Sequence, residues 1–136
     1  MRVDVDGREV YCYTAARSPD AERPSVLFVH GAANDHSVFA LQSRYLAHHG
    51  RNVLAVDLPG HGRSAGAPLD SVEAIADWIA RLLDAVGIGR AAIVGHSLGA
   101  LATLEAASRH PARVERMALL GPAFPMAVSD ALLDAA

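Results

Sequence analysis

The segment most suggestive of chemistry is Gly95-His96-Ser97-Leu98-Gly99, a serine with a glycine two residues away on either side. A serine hydroxyl becomes a nucleophile when a base takes its proton, and its attack on a carbonyl leaves an acyl-serine intermediate. Glycines at these two distances remove the side chains that would collide if the backbone bent sharply at the serine. A glycine-rich turn can carry the same pentapeptide by chance, so the flanking elements decide its meaning.

Those elements fit. Ala91 to His96 reads as a buried strand, and Leu98 to about His110 reads as a helix with Pro111 beyond its end. A serine between them would sit on a strained strand-to-helix turn that presents its hydroxyl at the edge of a sheet. It would also stand at a helix N-terminus, where unpaired N–H groups and the helix dipole favour developing negative charge. Two upstream segments repeat the arrangement. Ser25-Val26-Leu27-Phe28-Val29 is a continuous apolar run ending in His30-Gly31-Ala32-Ala33. Asn52-Val53-Leu54-Ala55-Val56 is another, ending in Asp57-Leu58-Pro59-Gly60-His61-Gly62-Arg63-Ser64. Apolar runs of this kind mark strands buried on both faces, as in parallel sheets.

The remaining elements complete an alternation. Val3 and Val5, the turn Asp6-Gly7 and Val10 to Tyr13 predict an N-terminal hairpin, followed by a polar loop from Arg17 to Pro24. A helix is expected from Asp35 to about His49, with Val38, Leu41, Tyr45 and Leu46 on its apolar face. The strongest helical pattern runs from Asp70 to Val86, with Val72, Ile75, Ile79, Leu82, Leu83 and Val86 at 3–4 spacing. Asp70 and Glu73 are placed to cap its start, and Gly87 to stop it. Val114 to Leu120 is a fourth strand. The fold class is therefore α/β, a mostly parallel sheet flanked by helices.

With HG, D-x-P-G-H-G-x-S and G-H-S-x-G in that order, the chain resembles the α/β-hydrolase family from about Asp4 to its last residue. The resemblance is to the group with a serine nucleophile. It implies that Ser97 is the nucleophile and that the backbone N–H groups of Leu98 and Ala32 form the oxyanion hole, with Ala33 second in order to Ala32. The implied reaction is hydrolysis of a small ester, thioester or lactone through an acyl-serine, without cofactor or metal. A serine here argues against members that use an aspartate nucleophile.

The family order is Ser, then Asp or Glu, then His, so Asp57 is not the triad acid and is expected to order its loop. Past Ser97 the sequence offers only Glu105, Glu115, Asp130, Asp134 and His110. His110 lies about 13 residues on, roughly 19 Å along the helix, out of reach. The chain thus reads as the N-terminal portion of a larger hydrolase, truncated before the later strands that carry acid and His. Residues 1–121 are read as core and 122–136 as the start of a cap or lid. Val114 to Leu120 would then be an open edge. A non-catalytic module that keeps the elbow as architecture is a rival reading. Perhydrolase or cofactor-free haloperoxidase chemistry with the same nucleophile is another.

Other features read as structural. Gly60-His61-Gly62 lacks the third glycine of a dinucleotide loop and the lysine of a P-loop. The seven histidines show no metal-ligand spacing. His96, Cys12, Met117 and Trp78 are expected to be packed residues. Composition sets the outer bounds. A chain of 136 residues with 51% hydrophobic and 20% charged residues suits one globular domain rather than a disordered protein. The net charge of −3 argues against a nucleic-acid partner, and a small-molecule substrate is expected instead. A single cysteine, no leader-like start and no membrane-length apolar run point to a cytoplasmic protein. All 12 basic residues are arginine, which with the abundant alanine suggests a GC-rich bacterial source.

Overall fold

Asp6 and Gly7, at φ of 57° and 75°, reverse the chain between β1 (Arg2–Val5) and β2 (Arg8–Tyr13), as the hairpin turn required. The protein is described by a computed structural model over residues 1–125. Four further strands follow: β3 (Ser25–Val29), β4 (Asn52–Val56), β5 (Ala91–His96) and β6 (Val114–Leu120). They form a single sheet in the order β1-β2-β4-β3-β5-β6. The β1–β2 and β2–β4 pairs are antiparallel, and β4–β3, β3–β5 and β5–β6 are parallel. All residues of β3 and β4 are buried, which is why their sequences are uninterrupted apolar runs.

Among the described residues, three α-helices cover the two faces: α1 (Ala40–His48), α2 (Val72–Ala85) and α3 (Leu98–Arg109). On one face α1 and the turn before it pack Phe39 and Ala47 against Phe28, Val53 and Ala55. On the other, α2 and α3 pack Ile75, Trp78, Ile79, Leu82, Leu83, Ala102 and Ala106 against Leu27, Leu54, Val56 and Ile93. The chain leaves β3 toward β4 on one side and leaves β5 toward β6 on the other. The C-terminal ends of the adjacent strands β3 and β5 therefore flank a topological switch point, where open α/β sheets form a crevice.

Three expectations are corrected. The segment after Asp35 starts as a 3₁₀ turn, His36–Phe39, with the Asp35 side chain accepting from Ser37 N–H. That turn shifts the helical phase, so α1 seats Phe39, Ser43 and Ala47, whereas Val38, Leu41 and Tyr45 are exposed by 44%, 77% and 61%. The start of α2 is capped by Ser71, whose Oγ accepts from Ala74 N–H at 3.1 Å, and not by Asp70. Met117 is 48% exposed rather than packed, because β6 is the outermost strand among the described residues. Trp78 and Cys12 are buried as expected. The expected cap segment falls largely outside the described residues, as do Asp130 and Asp134.

Candidate active site

Ser97 joins β5 to α3 at φ 54° and ψ −116°, a conformation that non-glycine residues adopt only under strain of about 1–3 kcal/mol. The backbone around it holds that strain. Ser97 N–H donates to Leu120 O at 2.9 Å, and Ser97 O accepts from Ala100 N–H and Leu101 N–H. The two glycines of the motif are required by backbone contact. A Cβ on Gly95 would lie 2.2 Å from Gly99 O, and one on Gly99 would lie 2.2 Å from Val29 O. The elbow therefore wedges the first turn of α3 between the ends of β5 and β3.

The end of β3 closes over the same point. A Cβ on Gly31 would meet His96 Nδ1 and Ser97 Cβ, both at 3.1 Å. The backbone of the HG segment thus passes directly beside the serine, and Ala32 and Ala33 continue it as exposed residues, Ala33 at φ 57°. Leu98, the residue after the serine, opens α3 and packs its side chain against the core. The structure thus sets the Gly31 backbone against Ser97, with Leu98 next to Ser97 in the chain and Ala32 next to Gly31. His96 sits beside Gly31 with its Nδ1 buried, a packed residue.

His30 is fully buried and tied at both ring nitrogens. Nδ1–H donates to Gly31 O at 2.7 Å, and Nε2 accepts from Leu58 N–H at 3.0 Å. It clamps the HG segment to the segment after β4 and has no nitrogen left for catalysis. Burial, chiefly, lowers its pKa below the ordinary 6.5, outweighing the bond to Gly31 O. The unfolded chain then binds the extra proton, so stability is expected to fall as pH drops below about 6.5 and on through the lowered folded pKa. An NMR titration of the histidine rings checks this: the His30 midpoint should fall below the ordinary 6.5, and a midpoint at or above it would contradict the expectation.

Asp57 is also fully buried and acts as a loop anchor. Its Oδ1 accepts from His36 N–H and lies 2.7 Å from His36 Nδ1, while Oδ2 accepts from Arg63 N–H at 2.8 Å. Ser64, at the end of the same motif, donates to Asp57 O and accepts from Tyr11 N–H. A Cβ on Gly62 would strike Asp57 Oδ2 at 2.4 Å, and one on Gly60 would strike Pro68, which accounts for both glycines. The part of His36 in this anchor was not legible in sequence, since nothing in a spacing of 21 residues marks the pair. Asp35, His36 and Asp57 bring ligand-type atoms within 4.8 Å of one another. Those of Asp57 already serve the amides of His36 and Arg63, and Asp35 Oδ1 serves Ser37 N–H.

His110 stands at the far end of α3, with Nε2 at 2.7 Å from Asp77 Oδ1, and Arg109 pairs with the same carboxylate. Twelve residues of helix separate it from the elbow by about 18 Å. The Arg109 and His110 hydrogen bonds hold the half-buried Asp77 carboxyl well below the usual carboxylate range. Glu115 lies near the start of β6, at the opposite end of the sheet from Ser97.

A family model described as alpha/beta hydrolase fold matches residues 24–136, and the chain belongs to that family. It is 36% identical over 99 residues to a putative non-heme haloperoxidase of a Mycobacterium phage, covering 72% of this chain and 36% of that protein. It is 36% identical over 103 residues to the lipase LipV of Mycobacterium tuberculosis, covering 74% of this chain and 38% of that one. Among solved structures, a predicted CIB-like hydrolase from Thermoplasma acidophilum superposes with a TM-score of 0.80 at 27% identity, over 90% of this chain and 61% of the other. The chain spans about a third of the length of the curated relatives it matches. Among the described residues, no helix is long and apolar enough to cross a membrane.

Proposed function

We propose that Ser97 is the nucleophile of a serine hydrolase acting on a small ester, thioester or lactone. Ser97 Oγ attacks the carbonyl carbon as a base takes its proton. The oxyanion is held by the N–H groups of Leu98 and Ala32, the alcohol or thiol leaves, and water releases the acyl group. In this reading the triad acid and histidine lie in the portion of the relatives' length that this chain does not span. It involves a small-molecule substrate, a cytoplasmic setting and no nucleic acid. The observation that supports it most is the strained Ser97, φ 54°, with the Gly31 backbone packed against it.

A fluorophosphonate probe tests the assignment in the gene product translated to its natural stop codon. A single adduct is expected on the Ser97 peptide, absent from Ser97→Ala. A folded, unlabelled Ser97 would defeat the proposal. The haloperoxidase relative favours a second reading, in which the acyl-serine passes its acyl group to peroxide. Peroxide-dependent halogenation of an indicator dye, measured beside ester turnover, separates the two.

A further inference from the structure

Four neighbouring strands, β4, β3, β5 and β6, run parallel and start at the end of the sheet away from Ser97. An arginine stands near each start. Arg51 is one residue before β4, Arg23 two before β3, Arg90 one before β5, and Arg116 is two residues into β6. With strands about 4.8 Å apart, parallel pairing turns these sequence-distant residues into a row about 14 Å long. All four line one half-open cavity of about 840 Å³, floored by Val26, Leu46 and Ala92.

The charges there are not balanced internally. Arg23 pairs with Asp20 at 3.1 Å. Among the described residues, Arg51, Arg90 and Arg116 have no ion pair and no side-chain hydrogen bond, although Glu22 and Glu115 also line the cavity. Three uncommitted guanidiniums against two carboxylates leave a net positive cavity with an apolar floor. Guanidinium forks match carboxylate and phosphate oxygens two at a time, and the floor offers apolar side chains for a hydrocarbon to cover.

We propose that this cavity is a second ligand site, for an organic anion that carries a carboxylate or phosphate head on a short apolar body. It lies a strand length from the elbow, about 20 Å for the six residues of β5, so its ligand does not touch Ser97. Calorimetric titration of the 136-residue chain with octyl phosphate, octanoate and 1-octanol tests the assignment. Binding of either anion, no binding of the alcohol, and affinity roughly tenfold weaker in Arg90→Gln/Arg116→Gln are expected, with Ser97→Ala binding as the parent does. The ratio of the two anion affinities tells whether a phosphate ester or a carboxylic acid is the better source of the head group. Should the double variant fail to fold by circular dichroism, Arg51→Gln, exposed in the native chain, must weaken binding instead. Absence of binding, affinity indifferent to all three arginines, or loss of binding in Ser97→Ala would each overturn the proposal. Labelling of Ser97 is unaffected by either result, so the two readings fail separately.

Discussion

Residues 1–136 expressed alone are expected to hydrolyse a nitrophenyl ester about 10⁶-fold more slowly than an intact serine hydrolase, because losing the histidine base alone removes about that factor from kcat. In a serine hydrolase without its base, the binding and oxyanion groups are worth about 10³–10⁴ over water, and only if the elbow is ordered. The upstream histidines His30, His36 and His61 are engaged elsewhere. His30 spends both ring nitrogens on Gly31 O and Leu58 N–H. His36 is held by Asp57 and packs on Tyr11 and Tyr13 of β2, three strands from β5, or about 14 Å at the usual strand spacing. His61 turns Nδ1 toward Pro59 O and leans on the ring of His30. The measurement is turnover by soluble monomer beside Ser97→Ala. Monomer is specified because β6 is the outermost strand among the described residues, with Met117 and Leu120 half-exposed, and such an edge can pair with another chain. Turnover at an ordinary esterase rate, abolished in Ser97→Ala, would prove the expectation wrong and make one of these three histidines the base.

Gly99→Ala is expected to be, with Gly95→Ala, among the most damaging glycine-to-alanine changes outside the positive-φ positions. The new Cβ would sit 2.2 Å from Val29 O and 2.6 Å from His30 O, both backbone atoms of a buried strand end. Neither can swing aside as a flexible side chain would, so α3 must shift off β3 and the elbow must open. A loss of about 4 kcal/mol or more is expected, the range reserved for such core disruptions, against a total stability of about 5–15 kcal/mol for a domain. At this size that corresponds to a fall in Tm of roughly 15 °C, or to failure to fold. Gly89→Ala is the control, since a Cβ there meets nothing within 4 Å and its effect should stay within about 1 kcal/mol. Thermal melts of the two variants give the comparison. Gly99→Ala melting within a few degrees of the parent would refute the reading of the elbow as wedged.

How much of this was legible beforehand differs by residue. Strand and helix types followed from local patterning: β5 and β6 run over the ranges the sequence marked, and Ser97 stands between strand and helix where its glycines indicated. The family followed from three motifs in order. The motif glycines were legible as turn residues, but not the atoms that forbid a side chain there, which for Gly95 and Gly99 are carbonyls of Gly99 and Val29. Nor was the pairing of His36 with Asp57, or the face that α1 buries.

The sequence by itself determined the kinds of element, their order and the segment that can bend into an elbow, because these depend on periodicity and on residues adjacent along the chain. The tertiary structure alone decided which strands are neighbours, and hence that His30 clamps Leu58, that Gly31 closes on Ser97 and that four arginines gather at the far end of the sheet. Those contacts join residues 28 to 93 positions apart. Their distances are set by parallel pairing and by the packing of helices on two faces, which leave no local trace in the chain.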